Sequence, residues 1–374
     1  MKHNWTYKKL GEVANIYQPK TLSTEMLIAD GKYLVYGANG VIGRYSEYNH
    51  EEKELLVTCR GATCGTLNVS EPFSWINGNA MVVHISDNQV LFDFLKYVLK
   101  GLDWSLIITG AAQPQITRQN LAPTKIPIPS LDEQQAIVRE LDAINHLINL
   151  QEEQLREYDR LAQSLFYTTF GDPVSNPKGW SLAEFSTLCD NLTKGPFGSD
   201  IKKSLFVPKS KDTYKVYIQV NAIQKDISLG DYYISKEYFE EKMRRFELHS
   251  GDYIITCDGT LGKFVRMTPN MERGIISASL LKLTLNERIT SSYFESIWNN
   301  YLLDKLVHQT RNAALVHLPS ATNIGKELIP LPPLSLQQTF AAQIEAIEQQ
   351  KALIRRSLDD TRTLLAARMQ YYFE

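Results

Sequence analysis

Residues 126–135 of this 374-residue chain read IPIPSLDEQQ, and residues 329–338 read IPLPPLSLQQ. The two stretches are 203 positions apart, and the same offset aligns apolar residues to the end of the chain. Leu141 aligns with Ile344, Ile144 with Ile347, Leu155 with Leu358 and Phe170 with Phe373. Such a sustained offset predicts a tandem duplication, in which each copy is a globular domain followed by a helix.

Apolar residues after each copy of this stretch follow a heptad repeat. The first stripe contains Ile137, Leu141, Ile144, Ile148 and Leu155, and the second contains Phe340, Ile344, Ile347, Ile354 and Leu358. Gln151 and Lys351 interrupt the stripes, and Ser130 and Ser335 are the predicted N-caps. The pattern predicts helices over 130–172 and 333–374 that pair as an antiparallel coiled coil.

Upstream of each helix the repeat is weaker, and its opening phrases near Trp5 and Trp180 are 175 positions apart. LVTCRG at 56–61 resembles IITCDG at 254–259. Short β-branched and aromatic runs predict strands near 32–36, 54–58, 81–85, 214–220 and 252–256, with helices near 90–100 and 291–308. The predicted fold class is α+β. Two mixed α/β domains, 1–129 and 173–332, alternate with the two helices in a pseudo-twofold internal repeat.

Composition limits the class of protein. A net charge of −2 argues against coating nucleic acid through bulk charge, although the acidity is concentrated in 131–174. No apolar run approaches the roughly 18 to 20 residues that span a bilayer, so no membrane association is expected. Four scattered cysteines favour free thiols in a reducing compartment, and we expect a cytoplasmic protein.

The chain contains no recognisable catalytic motif. It has no Walker A loop, no GxGxxG and no Asn/Asp-Pro-Pro-aromatic motif for amino-methyl transfer. Cys59 and Cys64 have no second pair at ligand spacing, so they are interpreted as buried thiols and no metal site is predicted. The glycine-rich stretch 37–43 is interpreted as a turn in a sheet. We therefore expect neither catalysis nor a cofactor on this chain.

The predicted loops instead carry side chains suited to base edges and phosphates. Arg and Lys can bond guanine, Asn and Gln can pair with adenine, and cations bind phosphates. The DNA-binding candidates are Lys20, Asn39, Arg44, Arg60, Thr63, Asn77, Gln113, Gln115 and Arg118 in the first domain and Lys194, Ser199, Lys202, Lys203, Gln219, Asn221, Arg244, Arg245, Thr260 and Lys263 in the second. The stretch 194–200 is the best single candidate, because its two glycines suit a rigid loop that approaches a DNA backbone closely.

With these features the chain resembles the specificity subunit of type I restriction–modification enzymes. The resemblance is carried by IPIPSLDEQQ and its copy, by 194–199 and 251–263, and by GAAQPQ at 110–115. It covers nearly the whole chain. The copy of GAAQ at 312–315 reads NAAL, so it lacks the glycine and the glutamine of the first phrase.

The resemblance implies two target-recognition domains that each contact one half of a split site in double-stranded DNA. It also implies that the helices set the spacing and dock two modification (methyltransferase) subunits, and that restriction (motor) subunits complete the complex. S-adenosylmethionine, ATP and Mg are expected on those partner subunits. Two alternatives stay open: a specificity subunit for a two-subunit enzyme with a fused nuclease–methylase, and a protein-interaction scaffold that does not bind DNA.

Overall fold

The computed structural model describes residues 5–110, 113–218, 230, 232–310 and 317–373. The chain forms two compact units, which we call unit 1 (Met1–Glu153 with Ile354–Glu374) and unit 2 (Gln154–Leu353). Each long helix is therefore divided between the units, a grouping that the predicted domains did not include. None of the helices in the described ranges has the length and apolar content needed to cross a bilayer.

Unit 1 combines short strands with helices. Its strands are β1 (Thr6–Lys9), β2 (Ala14–Tyr17), β3 (Tyr33–Gly37), β4 (Gly40–Tyr45), β5 (Leu55–Thr58), β6 (Leu67–Val69), β7 (Trp75–Ile76), β8 (Ala80–Ile85) and β9 (Lys125–Ile128). Its helices are α1 (Leu10–Val13), α2 (Phe92–Lys100), α3 (Arg118–Leu121), the first part of α4 (Leu131–Phe170) and the last part of α9 (Leu334–Phe373). The predicted strands near 32–36, 54–58 and 81–85 are β3, β5 and β8, and the predicted helix near 90–100 is α2.

The sheets of unit 1 are largely antiparallel. One contains β2, β8, β5 and β6 in that order, another contains β4, β3 and β7, and β1 pairs with β9. The only parallel neighbours recorded among these strands are β3 and β7. In β5, Leu55 and Val57 belong to the core beneath α2, whereas Leu56 packs towards the smaller sheet. Burial of both faces explains why this strand is a continuous apolar run instead of an alternating one.

Unit 2 contains strands β10 (Ser181–Glu184), β11 (Cys189–Lys194), β12 (Thr213–Tyr217), β13 (Tyr233–Ser235), β14 (Glu247–Leu248), β15 (Tyr253–Thr256), β16 (Phe264–Arg266), β17 (Gly274–Ile276), β18 (Leu280–Leu285) and β19 (Leu328–Leu331). Its helices are α5 (Lys236–Tyr238), α6 (Ser291–Ile297), α7 (Leu303–Thr310), α8 (Ala321–Gly325) and, in part, α4 and α9 (Leu334–Phe373). The predicted strands near 214–220 and 252–256 correspond to β12 and β15. The predicted helix at 291–308 contains a π-helical turn, Trp298–Leu302, between α6 and α7.

The two units repeat the same sheet topology, except that the second sheet of unit 2 has a fourth strand, β14. In unit 2, β11, β18, β15 and β16 form the four-stranded antiparallel sheet, and β13, β12, β17 and β14 form the second sheet with β12 parallel to β17. The ribbon of unit 1 pairs Thr6 with Ile128, and that of unit 2 pairs Ser181 with Leu331. These partners differ by 175 and 203, the two offsets found in the sequence. The α+β fold class and the internal repeat are therefore confirmed at the level of strand register.

The long helices are 40-residue elements that run antiparallel within each unit. In unit 1, Glu140 bonds Arg368 and Glu152 bonds Arg362. In unit 2, the rings of Phe170 and Phe340 are 4.9 Å apart. The antiparallel coiled coil predicted from the heptads is confirmed.

One predicted helix start is correct and the other is wrong. Ser130 precedes α4, and its hydroxyl and the Glu133 carboxylate form a capping box. Ser335, by contrast, lies inside the first turn of α9, which begins at Leu334. The carbonyl of Pro333 accepts from the N–H groups of Leu336 and Gln337, so this proline occupies the position of Ser130.

Candidate nucleic-acid interface

Four loops of unit 1 lie side by side at one end of its four-stranded sheet, and we call residues 18–21, 38–39, 59–66 and 113–118 loop surface 1. The Gln18 amide donates to Cys59 Sγ over 3.0 Å, and the Thr58 hydroxyl donates to Asn39 Oδ1 over 3.2 Å. The Gly61 N–H donates to the Pro114 carbonyl over 3.1 Å. Loop surface 1 gathers seven predicted residues with exposed side chains: Lys20, Asn39, Arg60, Thr63, Gln113, Gln115 and Arg118.

The stretch 37–43 contributes the hairpin between β3 and β4. Gly37 pairs with Gly40, which leaves Ala38 and Asn39 as a two-residue turn, and Gly40 has a φ of +107°. This positive φ requires glycine, because a Cβ would be strained there. The interpretation of this stretch as a sheet turn is confirmed.

Two other candidates in unit 1 are placed differently. Asn77 is 4% exposed, and its amide accepts from the Leu22 N–H and donates to the Leu22 carbonyl. It therefore positions the loop before β3 and presents no group to a ligand in this structure, which corrects its prediction as a contact residue. Arg44 is exposed, but its guanidinium donates to the carbonyls of Gly31 and Lys32, at the opposite end of β3 from Asn39.

Three segments of unit 2 form the equivalent surface, and we call residues 194–199, 257–263 and 317–318 loop surface 2. The Leu318 N–H donates to the Cys257 carbonyl over 2.9 Å, and the Gly195 N–H donates to the Leu280 carbonyl over 2.8 Å. Burial raises the pKa of the Cys257 thiol to about 12, and the nearby Lys194 cation has a smaller opposing effect. Loop surface 2 carries the predicted residues Lys194, Ser199, Thr260 and Lys263.

The glycines of the 194–200 stretch were predicted to let it approach a DNA backbone closely. In the structure, Gly195 instead lies against the backbone of Ser277 in the same chain. A Cβ at this position would lie 1.9 Å from the Ser277 carbonyl oxygen, so only glycine fits against that backbone. Nothing lies within 4 Å of a Cβ built on Gly198, and the neighbouring Phe197 is 79% exposed. The open part of the 194–200 stretch is therefore its second half.

The remaining candidates of unit 2 lie elsewhere or were not described. Lys202 and Lys203 are exposed where β11 leads towards the second sheet. Arg244 and Arg245 begin a 3-10 turn that ends at Phe246, a core residue of the second sheet. Gln219 and Asn221 lie outside the described residues. The structure thus gathers four of the ten second-domain candidates into one surface.

Each copy of the repeated stretch contains a buried glutamine, Gln134 in unit 1 and Gln337 in unit 2. This glutamine anchors the globular part of its unit to the start of the long helix. Gln134 is fully buried. Its amide donates to the carbonyls of Gln89 and Pro129, and its Oε1 accepts from the Leu91 N–H.

Gln337 makes the equivalent set of contacts in unit 2. It is also fully buried and bonds the carbonyls of Arg288 and Pro332 and the N–H of Thr290. The signal for this role was present, since both copies of the stretch end in a glutamine pair.

All ten residues of the predicted stripes are buried or half-buried on the paired helices: Ile137, Leu141, Ile144, Ile148, Leu155, Phe340, Ile344, Ile347, Ile354 and Leu358. The interrupting polar residues have partners. Gln151 donates to Ser357 Oγ over 2.9 Å, and Lys351 bonds Asp159 and Glu348. The Arg368 guanidinium holds the pKa of the Glu140 carboxyl below its usual range. These polar contacts favour a single helix register.

Within the described ranges, no group of three or more His, Cys, Asp or Glu side chains is placed to hold a metal ion. Cys59 is fully buried, and burial raises the pKa of the Cys64 thiol. What the two loop surfaces offer is hydrogen-bonding and cationic groups, which suit binding more than chemical reaction.

The sequence is similar to a family model and to several known proteins. Residues 2–157 match the family model described as the type I restriction modification DNA specificity domain. A putative type I restriction enzyme specificity subunit of Haemophilus influenzae is 25% identical over 69% of this chain and 67% of its own length. The putative MjaX specificity subunit of Methanocaldococcus jannaschii is 20% identical over 91% of this chain and 76% of its own length.

The fold has close counterparts among solved structures. The S subunit of a type I restriction–modification system from M. genitalium aligns with a TM-score of 0.59 at 15% identity, over 99% of this chain and 96% of that one. A chain from a study of complex assembly in the type I system aligns with a TM-score of 0.60 at 16% identity, over 99% and 97%. In sequence and in fold, the chain is therefore similar to specificity subunits of type I restriction–modification systems, and the specificity-domain model matches its residues 2–157.

Proposed function

We propose that each unit reads one half of a bipartite DNA site, so that the chain supplies the sequence specificity of a type I restriction–modification complex. The observation that carries this proposal is the presence of two loop surfaces on equivalent backbone frameworks in one chain. A protein that reads two different half-sequences needs one framework twice, with different side chains on each copy. The two-subunit enzyme and the scaffold without DNA are not favoured.

The chemistry of the surfaces fits duplex DNA. On loop surface 1, the Arg60 guanidinium can bond guanine, and the Gln115 amide can donate to or accept from a base edge in the major groove. On loop surface 2, Lys194 and Lys263 can bind phosphates, which position a protein without reading sequence. Methylation and cleavage belong, in this proposal, to modification and restriction subunits that carry S-adenosylmethionine, ATP and Mg.

The decisive experiment is methylome sequencing of a host that expresses the chain with its modification and restriction subunits. We expect methylated adenines in a split motif, with two defined halves and a spacer of fixed length. Duplex DNA with this motif should then shift in electrophoresis with the assembled complex. A complex that shifts no duplex and marks no motif would favour the scaffold alternative.

Binding should depend steeply on salt, because cations that contact phosphates release counterions. Replacing Lys194 with Gln should lower the slope of log affinity against log salt by about one, without changing the motif. Lys125→Gln, an exposed lysine on the β1–β9 ribbon, is the matched control and should leave the slope unchanged. Equal slopes for the two variants would remove Lys194 from the interface.

We further propose that the helices dock two copies of the modification subunit through duplicated apolar side chains. Unit 1 exposes Leu150 and Leu364, and unit 2 exposes Leu353 and Leu161, which are their equivalents at the offset of 203. Each of these four side chains is 48% to 63% exposed. Because the same pair occurs once in each unit, one kind of partner can bind twice.

Leu150→Glu with Leu364→Glu should reduce the bound modification subunits from two to one, because a charge in an apolar interface is left without a partner. Native mass spectrometry of the assembled complex measures this stoichiometry. Leu106→Glu, at a leucine of unit 1 that is 84% exposed and lies outside the two long helices, is the control. If the double variant still binds two copies, these leucines are not the docking surface.

A further inference from the structure

One antiparallel bridge recurs at the same place in both units. In loop surface 1, Arg60 lies opposite Gln115, and in loop surface 2, Asp258 lies opposite His317. The adjoining hydrogen bonds are also equivalent. The Ile116 N–H donates to the Cys59 carbonyl over 3.0 Å, and in unit 2 Leu318 and Cys257 make the same bond over 2.9 Å. The two bridges are therefore one structural position that occurs twice.

In each bridge, the buried flanking residues are similar in the two units, whereas the outward-facing residues differ between them. The flanking residues Cys59, Ile116, Cys257 and Leu318 are at most 3% exposed and hold the backbone in the core. Their neighbours on the bridge point the other way, because side chains alternate along extended backbone. The buried half thus carries a cysteine and an aliphatic residue in both units, whereas the outward half carries Arg and Gln in one and Asp and His in the other.

Opposed residues in an antiparallel pair direct their side chains to the same face, so each bridge presents two polar groups together. In unit 2 this is visible directly, since His317 Nδ1 is 3.8 Å from Asp258 Oδ1 and both side chains remain nearly half exposed. The two side chains of one bridge can therefore bond two sites on one base pair or one site on each of two adjacent base pairs.

The two pairs differ in charge, because one contains the cationic Arg60 and the other the anionic Asp258. A guanidinium donates to guanine O6 and N7, whereas a carboxylate accepts from the amino group of cytosine N4. A carboxylate is repelled by phosphates, so on a DNA-facing surface it is favourable where a base amino group meets it. Lys194 and Lys263 on the same surface supply the opposite charge for the DNA backbone.

We propose that these bridge pairs are specificity-determining positions: Arg60 with Gln115 reads a guanine in one half-site, and Asp258 with His317 reads a cytosine in the other. This rests on the proposed function and adds to it the residues and the base types. The shared framework sets where a base is read, and the outward pair sets which base is accepted.

The test compares methylomes of hosts that express the complete complex with wild-type, Arg60→Ala or Asp258→Asn chains. Arg60→Ala should relax one guanine position in one half of the motif, and Asp258→Asn should change one cytosine position in the other half. The preference at that position should fall roughly tenfold to a hundredfold, the range for a single base contact. Lys125→Ala and Asp212→Asn, exposed charges away from the loop surfaces, should leave the motif unchanged.

A second variant keeps the test independent of simple loss of binding. Exchanging the second pair for the first, by Asp258→Arg with His317→Gln, should convert the affected cytosine position into a guanine position. A wild-type split motif that neither the single nor the double variants alter would overturn this inference and leave the proposed function standing. A wild-type complex that marks no split motif would overturn both.

Discussion

Deleting one heptad from each long helix should shorten the spacer of the methylated motif by about three base pairs and leave both half-sequences intact. Seven helical residues span about 10 Å, and consecutive base pairs are about 3.4 Å apart. Both α4 and α9 are unbroken elements that contribute to both units, so they are the parts of the chain whose length can act as a ruler.

The deletions must keep the two helices in register. Gln151 lies level with Ser357, and Asp159 lies level with Lys351, so residues 152–158 and 351–357 are opposite segments. Removing both preserves the heptad pattern on each side of the junction. Inserting a heptad at the same two places is the control and should lengthen the spacer by the same amount. A spacer that stays constant in methylome sequencing of both variants would refute the ruler role.

Gln134→Ala and Gln337→Ala should each lower the free energy of unfolding by about 2–4 kcal/mol. Each glutamine bonds three backbone groups, of which one, the carbonyl of Pro129 or Pro332, is buried and the other two are partly buried, and alanine removes all three bonds. Leaving a partly buried polar group without a hydrogen bond lowers the free energy of unfolding by more than the net stabilisation that the hydrogen bond itself provides. Urea denaturation of the full chain measures the loss.

The glutamine pairs also supply the control. Gln135 and Gln338 are the exposed neighbours, so Gln135→Ala and Gln338→Ala should change the free energy of unfolding by less than about 0.5 kcal/mol. If the buried and exposed variants unfolded at the same urea concentration, the anchor role would be wrong.

Part of the candidate site was predictable because its residue types and loop positions are local properties. Glycine-punctuated turns and strand ends placed Asn39, Arg60 and Thr63 on loops, and the structure brings them together on loop surface 1. Asn77 has the same local signature, yet it is buried, because its amide is used to hold Leu22. Composition and spacing do not tell a contact residue from a positioning residue, since the difference depends on a partner 55 positions away.

The sequence by itself determined the duplication, the α+β class and the two paired helices. These follow from periodicity and a constant offset, which depend on which residues recur and at what interval. Only the tertiary structure decided that each unit takes half of each helix, that Gln134 and Gln337 are buried anchors, and that Asp258 meets His317. The physical reason is that burial and hydrogen-bond partners are set by segments far apart in the chain, which a local pattern does not specify.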